Sequence, residues 1–190
     1  MLAIFLKTVP FFALIALGYA AGRTKFFTSE ATAYLTKFVF WFALSAMLFN
    51  FAANLTLAEI LDWRFITAYL WGTVTVEAQC AVIGNVGFLG IPMFVLLLGP
   101  ESAGPMLMVL ATDLIIFSSL IVILITGSRD GRVSVKTLHT VGLGLVKNPM
   151  IVSIVLGIAW SSTGRELWQP VNEFLAILGA AATPGALFAI

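Results

Sequence analysis

The residues best suited to chemistry lie in one stretch, Gly84-Asn85-Val86-Gly87-Phe88-Leu89-Gly90-Ile91-Pro92. Pro92 has no amide hydrogen and its ring crowds the carbonyl of Phe88, so a regular helix cannot pass this point undisturbed. The stretch sits inside an apolar run from Cys80 to Gly99. A carbonyl freed at membrane depth is tolerated only where protein buries it or a watery cavity solvates it. Glycines 84, 87 and 90 form a stripe without side chains that lets another backbone cross at close range. Asn85 adds a donor and an acceptor beside the break. The pattern predicts a discontinuous helix whose half-helix ends hold an anionic solute or a coupling ion, with Asn85, Gly87, Gly90 and Pro92 at the site. A kinked helix whose glycines only pack is the competing reading.

Asp113 is the one acid well inside an apolar run. An embedded carboxylate is costly and by default marks function, here proton uptake during a coupled cycle. Its side chain is too short to snorkel. The alternative is a hydrogen bond to Thr112 or to a neighbouring helix. Asn50 and Thr183 are further polar candidates, and lone polar residues in spans equally serve to join helices. Single Cys80 and His139 residues leave no internal disulfide and no Cys/His metal set, so no metal is expected, nor any cofactor beyond a coupling H+ or Na+. An intramembrane aspartyl protease needs two embedded acids and a serine type needs a Ser/His pair. With only Asp113 embedded and His139 in a polar connection, enzyme chemistry is set aside.

The elements that must position these residues are membrane helices. The chain is 61% hydrophobic and 10% charged, where a soluble domain carries about a quarter charged residues. A net charge of +1 gives no sign of a nucleic-acid partner. Leu2 to Ala21 reads as a span rather than a signal peptide, because Lys7 lies inside it while Arg23 and Lys25 follow it. The second run, Phe38 to Ala53, follows a helix-opening Thr28-Ser29-Glu30. Thr56 with Glu59 forms a capping box for a short interfacial helix. The third run, Phe65 to Val76, would reach only about 18 Å, against a hydrocarbon core of about 30 Å. Cys80 to Gly99 is the fourth and Ala103 to Gly127 the fifth. Val141 to Ser162, opened by Lys147-Asn148-Pro149, is the sixth, and Phe174 to Ile190 the seventh. Residues 1–127 then form a first repeat, 128–140 a cytoplasmic connection and 141–190 the start of a second repeat.

Charge parity favours separate third and fourth spans. Arg23, Lys25, Lys37, Arg129, Arg132, Lys136 and Lys147 then share one side, against Lys7, Arg64 and Arg165 on the other. This positive-inside asymmetry puts the amino terminus outside. Because parity wants a third span that is too short, residues are expected to be missing near 76–77. Sliding the chain on itself by 139 positions aligns Pro10 with Pro149, Gly18 with Gly157, Ala43 with Ala182 and Phe49 with Phe188. Five spans separate the copies, and an odd number turns the second copy upside down, which is a transporter architecture.

The Asn85 to Pro92 motif, the opening Pro10 to Arg23, Lys147-Asn148-Pro149 and the closing Ala181-Ala182-Thr183-Pro184-Gly185-Ala186-Leu187-Phe188 together resemble the auxin efflux carrier family, most of all its bacterial malonate-carrier branch. The resemblance implies an all-α integral membrane protein of ten helices in five-plus-five inverted repeats, like the bile-acid symporters. Each repeat would hold a broken crossover helix near a central site. Run four is then the first crossover, with Asn85 and Pro92 matching its motif, and Thr183 and Pro184 belong to the second span of the second repeat. The implied partners are the bilayer and a small organic anion such as malonate, with a homodimer left open, in a bacterial inner membrane. Three departures stand out. The third helix is short, Ser45 stands where a counterpart of Pro184 is expected, and helices eight to ten with the second crossover are not found. Two functions are therefore retained, an ion-coupled carrier of small organic anions and a carrier-like assembly piece without transport of its own.

Overall fold

In the computed structural model, residues 2–77, 86–123 and 135–190 are described, and all regular structure among them is helical. Helix α1 (Leu2–Arg23) keeps Pro10 inside it. It is apolar on all sides and none of its apolar window is buried, as suits a helix at the lipid-facing rim. Helix α2 (Ser29–Phe38) starts where the Thr28 side chain accepts a hydrogen bond from the Ala31 amide at 3.2 Å. A π turn (Val39–Ala43) joins it to α3 (Leu44–Asn54). Together they make one span of 26 residues, Ser29–Asn54. The polar stretch before Phe38 is thus part of the second span, because Thr28 nucleates the helix well ahead of the apolar run.

The short helix α4 (Leu57–Ile60) stands where the Thr56 and Glu59 pattern places one. Helix α5 (Trp63–Glu77) opens with Asp62 Oδ1 accepting from the amides of Arg64 and Phe65, and its 15 residues reach about 22 Å. A second π turn (Val86–Gly90) runs directly into α6 (Ile91–Leu98). After Gly99, at φ +101°, a 3-10 turn (Pro100–Ser102) leads to α7 (Ala103–Thr112). A third π turn (Asp113–Phe117) follows, and the helix continues to residue 123. Helices α8 (Val135–Lys147) and α9 (Pro149–Ser161) meet at a bend of 67°. Helices α10 (Gln169–Ala180) and α11 (Ala182–Ala189), parted by a turn at Ala181, close the chain.

Among the described residues four helical stretches, Phe5–Arg23, Ser29–Asn54, Pro100–Ile123 and Gln169–Ala189, are long and apolar enough to cross a bilayer, and the bent α8–α9 pair is so only when its two helices are taken together. The third and fourth runs do not reach that length among the described residues. The sixth run, read from the sequence as one helix, is two. Pro149 pushes Asn148 to an extended conformation (ψ 114°), and the Asn148 side chain caps α9 by accepting the Met150 amide at 2.9 Å.

Helix α3 is the centre of the packing. Leu44, Met47, Leu48 and Ala52 meet Leu107 and Leu110 of α7, Ile91 of α6, Met150 and Ile154 of α9, and Ala182 of α11. The closest helix crossings come in two matching pairs. A Cβ added to Gly18 of α1 would overlap the Phe188 carbonyl of α11. One added to Gly157 of α9 would lie 2.9 Å from the Phe49 carbonyl and 2.5 Å from the Ala52 Cβ of α3. Gly18 and Gly157 stand 139 positions apart, and so do Phe49 and Phe188. The same offset carries the π turn at Val39–Ala43 onto residues 178–182, where the turn at Ala181 interrupts the last span.

Candidate functional site

The glycine–proline motif is described from Val86 onward; Gly84 and Asn85 lie outside the described residues. Over residues 86–98 the chain does not break at Pro92. The π turn widens the helix just before the proline, and Gly90 keeps helical angles of φ −60° and ψ −63°. A widened turn displaces the carbonyl that the ring would otherwise strike, so the strain of Pro92 is absorbed without a gap. Gly87 is buried, and a Cβ there would be in ordinary contact with Leu110, Met150 and Leu44, at 3.6 to 3.8 Å. The stripe therefore faces the α3, α7 and α9 core at that point. The π turn also packs against α11, the helix of Thr183 and Pro184, with Thr183 partly buried and Pro184 exposed.

Asp113 opens the third π turn and is only 4% exposed. Tyr69 of α5 donates its hydroxyl to Asp113 Oδ1 at 2.7 Å, and its ring meets Phe117 edge-on. The partner is thus a neighbouring helix, as one of the two sequence readings had it, and not Thr112. Ser118 donates its hydroxyl to the Asp113 carbonyl at 3.1 Å, five residues back. Ser45 does the same to Phe40 across the π turn of the second span, also at 3.1 Å. In both places a serine hydroxyl adds a donor to a carbonyl of the widened turn, and the Asp113 carbonyl accepts the Ser118 amide as well. Ser118 also lines a cavity of about 270 Å³ with Ser119, Thr140 and Asn148, between this π turn and the α8–α9 bend.

Asn50 belongs to a third locus. Its amide nitrogen donates to Asn172 Oδ1 at 2.7 Å, and the Asn54 amide donates to the same oxygen at 3.1 Å. Asn54 also donates to the Asn50 carbonyl at 2.8 Å, a backbone acceptor that fixes which way its amide points. This links α3 to α10 beside a cavity of about 560 Å³ lined by Asn54, Asn172, Ser161, Arg165 and Glu166 among others. Among the described residues no hydrogen bond joins any two of Asn50, Gly87, Gly90, Pro92, Asp113, Thr183 and Pro184. What brings some of them together is helix packing, the 86–90 turn against α11 above all.

Tyr69, Asn54 and Asn172 escaped the sequence reading as site residues. Asn50 and Asn54 are four apart on one helix, which puts both amides on one face, and that spacing was the available signal. Tyr69 carried no such signal, since a hydroxyl in an apolar run finds its acceptor only through the fold.

Residues 3–79 match the family of membrane transport proteins. The matched stretch covers the first three runs and ends before the glycine–proline motif. The chain is also similar to a curated protein of Rhizobium meliloti (strain 1021) named "Putative malonate transporter", at 24% identity over 207 residues. That match takes in 96% of this chain and 64% of the relative, so the chain spans less than two thirds of the relative's length. The resemblance to auxin efflux carriers, first seen in the motifs, is borne out by both. A match over 207 residues is longer than the 190 residues of this chain, so within the aligned stretch the relative holds residues without a counterpart here. The match to membrane transport proteins and the apolar helices together mark an integral membrane protein.

Proposed function

We propose that the chain acts as a secondary transporter of small organic anions, malonate and other dicarboxylates first among them, coupled to a proton or a sodium ion. The observation that carries this reading is the pair of crossings at Gly18–Phe188 and Gly157–Phe49. Each becomes the other when one partner is moved forward and the other back by 139 positions, which is what two copies of one folding unit make when they exchange equivalent contacts. The second copy starts five runs after the first, an odd number, so it is inverted, and inverted repeats are the frame in which secondary transporters alternate access. In this reading residues 1–127 form the first repeat and residues from 141 onward begin the second. The amino terminus is outside and the membrane is the bacterial inner membrane.

Asp113 supplies the ion-responsive group. Its carboxylate is tied through Tyr69 to the short third helix, so a change of charge there alters the hold of α7 on α5. Asn85 and the π turn at Val86–Gly90 that follows it in sequence serve the anion. The test is uptake of radiolabelled malonate into proteoliposomes holding the full chain. Saturable uptake that falls to the protein-free level in Asn85→Ala and Asp113→Asn supports the carrier. A flat trace for the unaltered chain overturns it in favour of a carrier-like assembly piece.

A further inference from the structure

We infer that the 560 Å³ cavity at the shared end of α3, α9 and α10 is a receiving site for a small carboxylate, separate from the glycine–proline motif. Its size lies within the range of about 300–1,000 Å³ usual for small-molecule sites. The connections that wall it, 53–57 and 161–167, follow the second and the sixth runs, which the charge parity puts on one face of the membrane. The inference rests on the carrier reading only for its role in transport, since binding stands by itself.

The donors come first. Asn54 is anchored by the Asn50 backbone carbonyl, so its nitrogen must face Asn172, and the atom of Asn172 that accepts it must be Oδ1. Asn172 Oδ1 takes the Asn50 amide as well, which leaves Asn172 Nδ2 as a donor with no protein partner among the described residues. Arg165 lines the same cavity, and among the described residues no acid pairs with its guanidinium. An amide donor and a guanidinium fork together suit a carboxylate.

Helix ends decide the sign of the ligand. The carboxyl ends of α3 and α9 lie at this cavity and would favour a cation if their carbonyls were open. Those of α9 are engaged instead, and so is the Leu55 carbonyl just past α3. Ser161 donates to the Leu55 carbonyl at 2.5 Å, Ser162 to Ala159 and Thr163 to Trp160, each at 2.7 Å. Helix α10, by contrast, starts at this end with no side-chain cap, so its amino-terminal dipole adds to the pull on an anion. Glu166 is the one acid of the lining. It opposes a fully ionised dicarboxylate and favours a single carboxylate, or a dicarboxylate that keeps one proton.

The experiment is equilibrium binding of radiolabelled malonate to the full chain in lipid nanodiscs at a mildly acidic pH, where malonate keeps one proton, which reads occupancy without transport. Arg165→Gln should weaken binding at least about tenfold, the scale of a lost charge-assisted pair. Arg165→Lys should recover part of it, and Asn172→Ala should weaken it several-fold. Arg64→Gln, which removes a charge from the same face away from the lining, should leave it unchanged, and acetate should compete where neutral malonamide does not. Wild-type binding that Arg165→Gln and Asn172→Ala leave untouched, in protein that elutes as a folded species, overturns the assignment while leaving the carrier reading intact. No malonate binding by the unaltered chain overturns it too. Binding lost as specified, in a protein that fails to transport, supports this site and counts against the carrier alone.

Discussion

Replacing Gly157 with alanine should drive α3 and α9 apart. The new methyl carbon would sit 2.5 Å from the Ala52 Cβ, 2.9 Å from the Phe49 carbonyl oxygen and 3.2 Å from the Ala53 amide nitrogen. Carbon atoms pack at about 3.5–4.0 Å, so a separation of roughly 1 Å or more is needed. Two of the three obstacles are backbone, which no rotamer change can move aside. A gap of that size forfeits a quarter to a half of the dispersion energy along the crossing, and overpacking of this kind costs about 1–3 kcal/mol. Better helix propensity returns up to about 1 kcal/mol of that. The net effect should be a loss of about 1–2 kcal/mol, or a fall in melting temperature of roughly 2–8 °C for a chain of this size. Gly142→Ala in α8 is the control, because a Cβ there meets nothing within 4 Å, and its stability should hold or rise slightly. Thermal unfolding of the detergent-purified variants, followed by size-exclusion fluorescence, measures both. Equal melting temperatures for Gly157→Ala and Gly142→Ala would refute the reasoning, and with it the idea that backbone contact sets the α3–α9 crossing.

Gly18→Ala should be at least as damaging as Gly157→Ala in the same assay, since its obstacle is the Phe188 backbone itself. Tyr69→Phe leaves an oxygen of buried Asp113 without its donor and should cost about 1–2 kcal/mol in chemical unfolding, whereas adding it to Asp113→Leu should cost little more. Asn172→Ala removes one acceptor from two amides and should cost about 1–2 kcal/mol, while Asn172→Asp, which keeps the acceptor, should cost less. Asn148→Ala removes the cap of α9 and should cost about 0.5–2 kcal/mol, largely restored by Asn148→Ser, as read by thermal unfolding.

The membrane helices were legible because bilayer depth imposes a length that composition cannot hide. Leu2 to Ala21, the second run and the last run all lie in helices long and apolar enough to span, and the Thr28 and Thr56 signals marked helix starts correctly. The 67° bend at Asn148 was legible in part, since Pro149 announced a helix start, but the apolar run on either side masked the change of direction. The π turns were not legible. Their cause is local, a serine or proline spaced to absorb one extra residue, and Ser45 and Ser118 look like any other small polar residues in an apolar run. The offset of 139 was visible as aligned glycines and prolines. Its meaning in three dimensions, Gly18 on Phe188 and Gly157 on Phe49, required knowing which helices cross. The polar pairs show the same division. Asp113 stood out by its cost, but Tyr69 and Asn172 are partners only because α5 meets α7 and α10 meets α3.

The most direct measurement of the central claim is malonate accumulation in sealed vesicles holding the full chain, under an imposed inward gradient of protons in one series and of sodium in another. The account predicts that one gradient raises internal malonate above the external concentration and that an ionophore for that ion abolishes the excess. Internal malonate that never exceeds the level in protein-free vesicles under either gradient would contradict it.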